Sequence, residues 1–353
     1  MEIYNKKIGP NQPSYFIAEI GSNFDGDLTR AKELIKIAAD SGADAVKFQH
    51  YTAETLVSDV GFKNLSSSVV THQTNWKESV SSTYDKASLN KEWTQELFET
   101  AHQRGVSFFT SPYSIELVDY VEPYVDAYKI GSGDITYLEI LEKISNKDKP
   151  ILIASGASDL KEVQFAMDIL LKKSSNICLM QCNTNYEGAL SNAQFQNLNV
   201  ITTFKELYPE LIFGLSCHMP GWTSVLGAVS LGARVIEKHF TDDRNRVGPD
   251  HGFAINPKEW SEMVKETRLL ESMLGNGIKV VEDNEKETSI VQQRSLRASR
   301  DIKKGEELTK DLIFSLRPCS SDGIKPYDLE KIIGKKLLVS IKKGEHFTLD
   351  TLV

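Results

Sequence analysis

The chain of 353 residues has only four cysteines, Cys178, Cys182, Cys217 and Cys319, and their spacing shows no pairing pattern. A disulfide framework is not the organising device, and reduced thiols are expected. No apolar run reaches membrane-spanning length, and residues 1–14 (MEIYNKKIGPNQPS) hold no apolar signal core. A cytoplasmic protein without membrane contact is expected. Cations are outnumbered, 41 against 49 carboxylates, for a net charge of −8. That balance argues against a nucleic-acid partner. It also means that an anionic substrate would depend on a few locally concentrated lysines. The first crossover has no glycine-rich phosphate fingerprint, which disfavours an open doubly wound sheet.

The sequence does show a regular alternation of short apolar runs and amphipathic segments. Strands are expected at 14–20, 44–49, 106–110, 127–130, 150–154, 177–181, 211–215 and 234–240. Helices are expected at 27–41, 91–104, 115–121, 137–145, 159–172, 199–207, 224–232 and 257–274, the last with proline at its first position. Eight strand–helix units with near-continuous apolar strands point to an α/β fold of the (β/α)8 TIM-barrel type over residues 1–274. Residues 50–88 interrupt it as a long, polar, irregular stretch, the kind of loop that serves as a lid or a partner contact.

Residues 275–291 are polar and acidic and read as a linker. The remainder, 292–353, repeats itself. Asp301-Ile-Lys-Lys-Gly-Glu-Glu-Leu-Thr309 recurs as Ser340-Ile-Lys-Lys-Gly-Glu-His-Phe-Thr348. This module is too small for a generous core. It is expected to pack on the barrel or on a second chain.

In a parallel barrel the chemistry sits at the carboxyl ends of the strands. The polar groups there include Glu19, Lys47, Gln49, Ser111, Lys129, Ser132, Asp134, Ser155, Thr184, Tyr186, Ser216, His218, Glu237, His239 and Asp250. Lysines and serines suit a phosphate or carboxylate. His218 and His239 end adjacent strands and could share one divalent ion. The plainer alternative makes each a hydrogen-bonded core or loop histidine. An anionic acid, a metal and a polyol together suggest a carbon–carbon condensation or an aldol-type reaction.

Motifs along the whole chain carry a resemblance. They are Ile17-Ala-Glu-Ile-Gly21, Lys47-Phe-Gln49, Thr110-Ser-Pro112, Tyr128-Lys-Ile-Gly-Ser-Gly133, Ala154-Ser-Gly156, Gly214-Leu-Ser-Cys-His218, Gly232-Ala-Arg-Val-Ile-Glu-Lys-His-Phe240, Gly248-Pro-Asp250 and Leu316-Arg-Pro318. In these the chain resembles the N-acetylneuraminate (sialic acid) synthase family, a TIM barrel followed by a small C-terminal antifreeze-like (SAF) domain. The resemblance implies condensation of phosphoenolpyruvate with N-acetylmannosamine or a related N-acyl hexose. It implies Mn2+ or Mg2+ on His218 and His239. Lys47, Ser111, Lys129, Ser132, Ser155, Thr184 and Ser216 would hold phosphoenolpyruvate. Glu19, Gln49, Tyr186 and Asp250 would hold the sugar, with Arg317 from the partner chain of a homodimer whose SAF domain caps the opposite barrel. Glu19, Lys47, Lys129, Asp134, Glu237 and Asp250 would carry the catalytic roles.

Some positions depart from the family pattern. Phe24 replaces a usual histidine, Cys217 a usual aspartate and Asp134 a usual glutamate, and Asn183 and Thr184 stand exchanged. Legionaminic and pseudaminic acid synthases share the scaffold, so the resemblance leaves the sugar open. A metal-dependent aldolase on the same barrel, or a non-enzymatic sugar- or ice-binding protein, are the competing readings.

Overall fold

The computed structural model describes residues 1–65, 69, 71, 73 and 76–353. Eight parallel strands close into a barrel: β1 (Tyr15–Glu19), β2 (Ala45–His50), β3 (Ser107–Pro112), β4 (Tyr128–Ile130), β5 (Ile151–Ala154), β6 (Ile177–Cys182), β7 (Ile212–Cys217) and β8 (Val235–His239). They pair in chain order, and β8 returns to β1. Every residue of β1, β3 and β6 is buried. A parallel strand covered on both faces needs that continuous apolar run, and the run is what made these strands legible. Ahead of β1, a two-residue hairpin (Glu2–Ile3 with Lys6–Lys7) was not expected from the sequence.

The outer helices begin where capping residues stand. Asp27 caps Leu28–Asp40 by accepting from the Arg30 amide. Asp159 and Glu162 form a reciprocal capping box on Leu160–Leu170, and Asn256 and Glu259 do the same on Pro257–Leu274. The buried faces of these helices, such as Leu34, Ile35 and Ala38 on the first, join one core with the strands.

The stretch after β2 departs from the expected irregular loop. It contains three short helices, Ala53–Leu56, Asp59–Lys63 and Val80–Ala87, each with a serine or threonine cap. Residues 66–68, 70, 72, 74 and 75 of that stretch lie outside the described residues.

Two compact units result, Met1–Gly275 and Asn276–Val353. Part of the expected linker is helical, over Lys286–Gln292, and belongs to the second unit. That unit has its own core, including Leu296, Leu308, Ile332 and Phe347. Its sequence repeat is a structural repeat: Ile302 and Ile341, equivalent in the two copies, exchange backbone hydrogen bonds at 2.9 Å. Gly305 and Gly344, also equivalent, both take a positive φ in the Lys-Lys-Gly turns.

A candidate active site at the barrel mouth

Strand register decides which side chains share the barrel mouth. Glu19 stands beside Lys47, Gln49 beside Ser111, and Glu237 beside Ser216. These pairs line a cavity of about 440 Å³, or stand directly behind its wall. Lys129, Ser132, Asp134, Thr184, Tyr186, His218, His239 and Asp250 line it too.

The floor is a buried array of opposite charges. Lys47 Nζ lies 2.5 Å from Glu19 Oε2 and 3.9 Å from Glu237 Oε1. Lys129 Nζ lies 3.5 Å from Glu237 Oε1. All four are nearly inaccessible, and two lysines balance two carboxylates. Burial opposes the charge on Glu237, but Lys129 and Lys47 outweigh it and hold this carboxyl below its usual range. Glu19 is pushed the other way, because burial dominates over its pairing with Lys47. Gln49 Nε2 donates to Glu19 Oε1 at 2.7 Å, and Lys47 donates to Ser111 Oγ at 3.4 Å. Burial also raises Asp134, to about 6.

The two histidines meet above this floor, ring centroids 5.4 Å apart. His218 Nδ1 donates to the carbonyl of Asn183 at 3.1 Å; burial opposes charge on this ring, but its bonds to the Cys182 thiol and the Asn183 carbonyl outweigh that and raise its pKa. Burial keeps His239 neutral, with a pKa lowered to about 3. Its Nδ1 is buried without a hydrogen-bond partner, as is Glu237 Oε2. The His218 and His239 imidazoles, with orphaned buried atoms on His239 and Glu237, are a donor set whose chemistry suits a divalent ion. Among the described residues, no three histidine, cysteine or acidic side chains already converge to hold one.

The structure sorts the expected site residues. Glu19 stands behind the cavity wall and acts on it through Lys47 and Gln49. Ser155, expected on phosphoenolpyruvate, instead lies behind the wall with its hydroxyl donating to the carbonyl of Met180. Arg317 is exposed just after the strand Ile313–Leu316 of the second unit. Two sequence departures fall away from the cavity. Phe24 is a core residue, stacked edge-on to Trp93. Cys217 faces the helix Thr223–Ser230, its thiol 3.1 Å from Ser224 Oγ. Asp134 and Thr184, by contrast, do line the cavity.

Sequence reasoning missed one wall. Leu56, Val57, Phe62, Trp76 and Tyr84 of the insertion line the cavity with Tyr51 and Tyr113. The available signal was four aromatics, Tyr51, Phe62, Trp76 and Tyr84, in a stretch otherwise read as polar. Ser22 was missed as well: its amide and hydroxyl donate to Asp250 Oδ2 at 3.0 and 2.8 Å, fixing that carboxylate at the mouth.

Comparison with known proteins adds independent findings. The NeuB family model matches residues 34–279, and the SAF domain model matches residues 293–353. The chain is 36% identical over 333 residues to an N,N'-diacetyllegionaminic acid synthase of Campylobacter jejuni, covering 93% of this chain and 97% of that protein. It is 31% identical over 343 residues to the human N-acetylneuraminate-9-phosphate synthase, covering 96% and 92%. A crystal structure of the N-acetylneuraminic acid (sialic acid) synthetase of Leptospira borgpetersenii with citrate superposes with a TM-score of 0.71 at 30% identity, over 82% of this chain and 94% of that one.

Proposed function

The chain belongs to the NeuB family, and from that premise we propose that it is a sialic acid-type synthase. It condenses phosphoenolpyruvate with the open-chain aldehyde of N-acetylmannosamine or a related N-acyl hexose. The products are a nine-carbon 2-keto-3-deoxy acid and phosphate. The observation that carries this reading is the buried Glu19–Lys47–Glu237–Lys129 array directly under the His218–His239 pair.

In this reading Lys47 and Lys129, with Ser111, Ser132, Thr184 and Ser216, hold the phosphate and carboxylate of phosphoenolpyruvate. That places C3 of the enol against the aldehyde carbon. Gln49, Tyr186, Asp134 and Asp250 hold the extended sugar. His218 and His239 would hold a divalent ion, Mn2+ or Mg2+, which supplies polarisation of the aldehyde oxygen. As the C3–carbon bond forms, positive charge develops at C2, which Glu237 in the cavity lining would oppose, with Glu19 acting from behind the wall through Lys47. Water then adds to C2, a neighbouring carboxylate takes its proton, and the C2–O bond to phosphate breaks. The ordering by array also explains the near-neutral floor: a trianionic substrate displaces carboxylate contacts of the lysines instead of entering a bare cationic pit.

The chain would work as a homodimer, with the SAF domain of one protomer over its partner's barrel and Arg317 reaching the sugar's acyl group. Inactive Arg317→Ala chains mixed with inactive His218→Ala chains should then regain activity. Mixed dimers that form and stay inactive would remove that arrangement.

The reaction itself is tested by phosphate release from phosphoenolpyruvate. Release should require an N-acyl hexose and stop with EDTA. A metal-dependent aldolase, the second reading, would release no phosphate.

A further inference from the structure

Behind the barrel mouth, Lys238 is a buried cation with neutral partners. It is 2% exposed. Its ammonium donates to the Met219 carbonyl at 2.5 Å and to Cys217 Sγ at 3.4 Å. Among the described residues no carboxylate pairs with it, whereas Lys47 and Lys129, likewise buried, both face Glu237. A buried ammonium without a counter-ion costs stability, because neutral acceptors return only part of the lost hydration. A methionine of similar shape at this place would avoid that cost.

The partners of Lys238 bracket His218. Cys217 is the last residue of β7 and stands in register with Lys238 on β8. His218 lies one residue past that strand end, where the ladder no longer sets its direction. The Met219 amide donates to Cys217 Sγ at 3.4 Å, which closes the turn around His218. Lys238 itself precedes His239, whose ring centroid stands 5.4 Å from that of His218. One side chain therefore ties the backbone on both sides of one imidazole to the strand that carries the other.

We infer that Lys238 is a positioning residue for the His218–His239 pair: its ammonium, anchored on Cys217 and the Met219 carbonyl, sets how the two rings face a shared divalent ion. The inference rests on the divalent-ion part of the proposed function. Lys238 is not among the described residues that line the cavity, so it acts through the two histidines and not on substrate. Its cost is borne where it orders two imidazoles, and supports of that kind change metal affinity more than they change folding.

The test is calorimetric Mn2+ affinity of the metal-free protein, without substrate, for the wild type, Lys238→Met and Cys217→Ala. Urea unfolding and phosphoenolpyruvate affinity in EDTA are measured beside it. Lys238→Met should weaken Mn2+ binding about 10-fold to 100-fold. Its urea midpoint should stay at or above that of the wild type, and its phosphoenolpyruvate affinity in EDTA should not change. Wild-type Mn2+ affinity in folded Lys238→Met overturns the inference. So does a parallel loss of Mn2+ and phosphoenolpyruvate affinity, which would mark a general disturbance of the barrel mouth. Should Lys238→Met fail to fold, Cys217→Ala decides: it removes one of the two anchors and should weaken Mn2+ binding about 10-fold, and unchanged affinity overturns the inference. Wild-type protein that takes up no Mn2+ overturns it through its premise, and phosphate release from phosphoenolpyruvate then tells separately whether the synthase reading falls too.

Discussion

Gly156 offers the sharpest perturbation of the anion side of the site. It follows β5, and its amide donates to Ser132 Oγ at 3.1 Å. A Cβ added there would stand 1.8 Å from Thr184 Oγ1, 2.9 Å from Ser132 Oγ and 3.0 Å from Cys182 Sγ. Ordinary contact begins near 3.4 Å, so Thr184 would have to retreat by roughly 1.6 Å. Thr184 and Ser132 are both assigned to phosphoenolpyruvate. Gly156→Ala should therefore cost about 1–3 kcal/mol of barrel stability through overpacking. It should also raise the KM for phosphoenolpyruvate about 10-fold to 100-fold, since 1.4 kcal/mol is a factor of ten. Thr184→Ala removes the worst clash, so the double variant should be more stable than the sum of the single effects predicts. Urea unfolding and steady-state phosphate release measure both quantities. An unchanged KM in Gly156→Ala, or a strictly additive cycle, would refute the packing argument.

His50 gives a pH dependence of stability. Its ring nitrogens are engaged by Thr110 Oγ1 and Thr94 Oγ1 at 2.8 Å each, and burial lowers its pKa to about 3. The unfolded chain takes up this proton near pH 6.5, so it binds more protons than the folded chain between about pH 6.5 and 3, and stability falls with acid by up to about 1.4 kcal/mol per pH unit. His50→Gln should flatten that slope in pH-dependent urea unfolding; an identical slope would contradict it. His251 is a positioning residue: its Nε2 bonds Asp25 at 2.8 Å and its Nδ1 bonds Thr241 at 2.7 Å, tying together the loops that carry Ser22 and Asp250. His251→Ala should raise the KM for the sugar and spare that for phosphoenolpyruvate, and parallel changes in both would count against the assignment. Lys129→Met leaves Glu237 with the Lys47 ammonium at 3.9 Å and the Ser216 hydroxyl at 3.4 Å. Calorimetric affinity for phosphoenolpyruvate should fall at least about 100-fold and stability by about 3–5 kcal/mol; wild-type affinity would show that Lys129 does not hold the phosphate.

The barrel was legible because its strands are buried on both faces and must read as apolar runs. The histidine pair was legible for a related reason: a polar residue ending such a run can only point into the mouth or the loop beyond it. Side-chain direction at the strand ends was not legible. Ser155 turns back to the Met180 carbonyl while Ser216 remains in the cavity, and nothing in the two local sequences separates them. Cys217 looked like a change to the site because it precedes His218. Strand alternation instead turns it outward, in register with Lys238. The aromatic wall escaped because Tyr51, Trp76 and Tyr84 follow no single period. They meet only when several short helices fold over one another, a tertiary outcome without a local pattern.

The synthase reaction is marked by which bond of phosphoenolpyruvate breaks. Phosphoenolpyruvate carrying 18O at the bridging enol oxygen would be turned over with an N-acyl hexose acceptor, and both products weighed by mass spectrometry. Condensation with cleavage of the C2–O bond predicts that the label leaves in inorganic phosphate and that a nine-carbon keto acid accumulates in equal amount. Label retained in the organic product, or phosphate released without the sugar, would contradict the account.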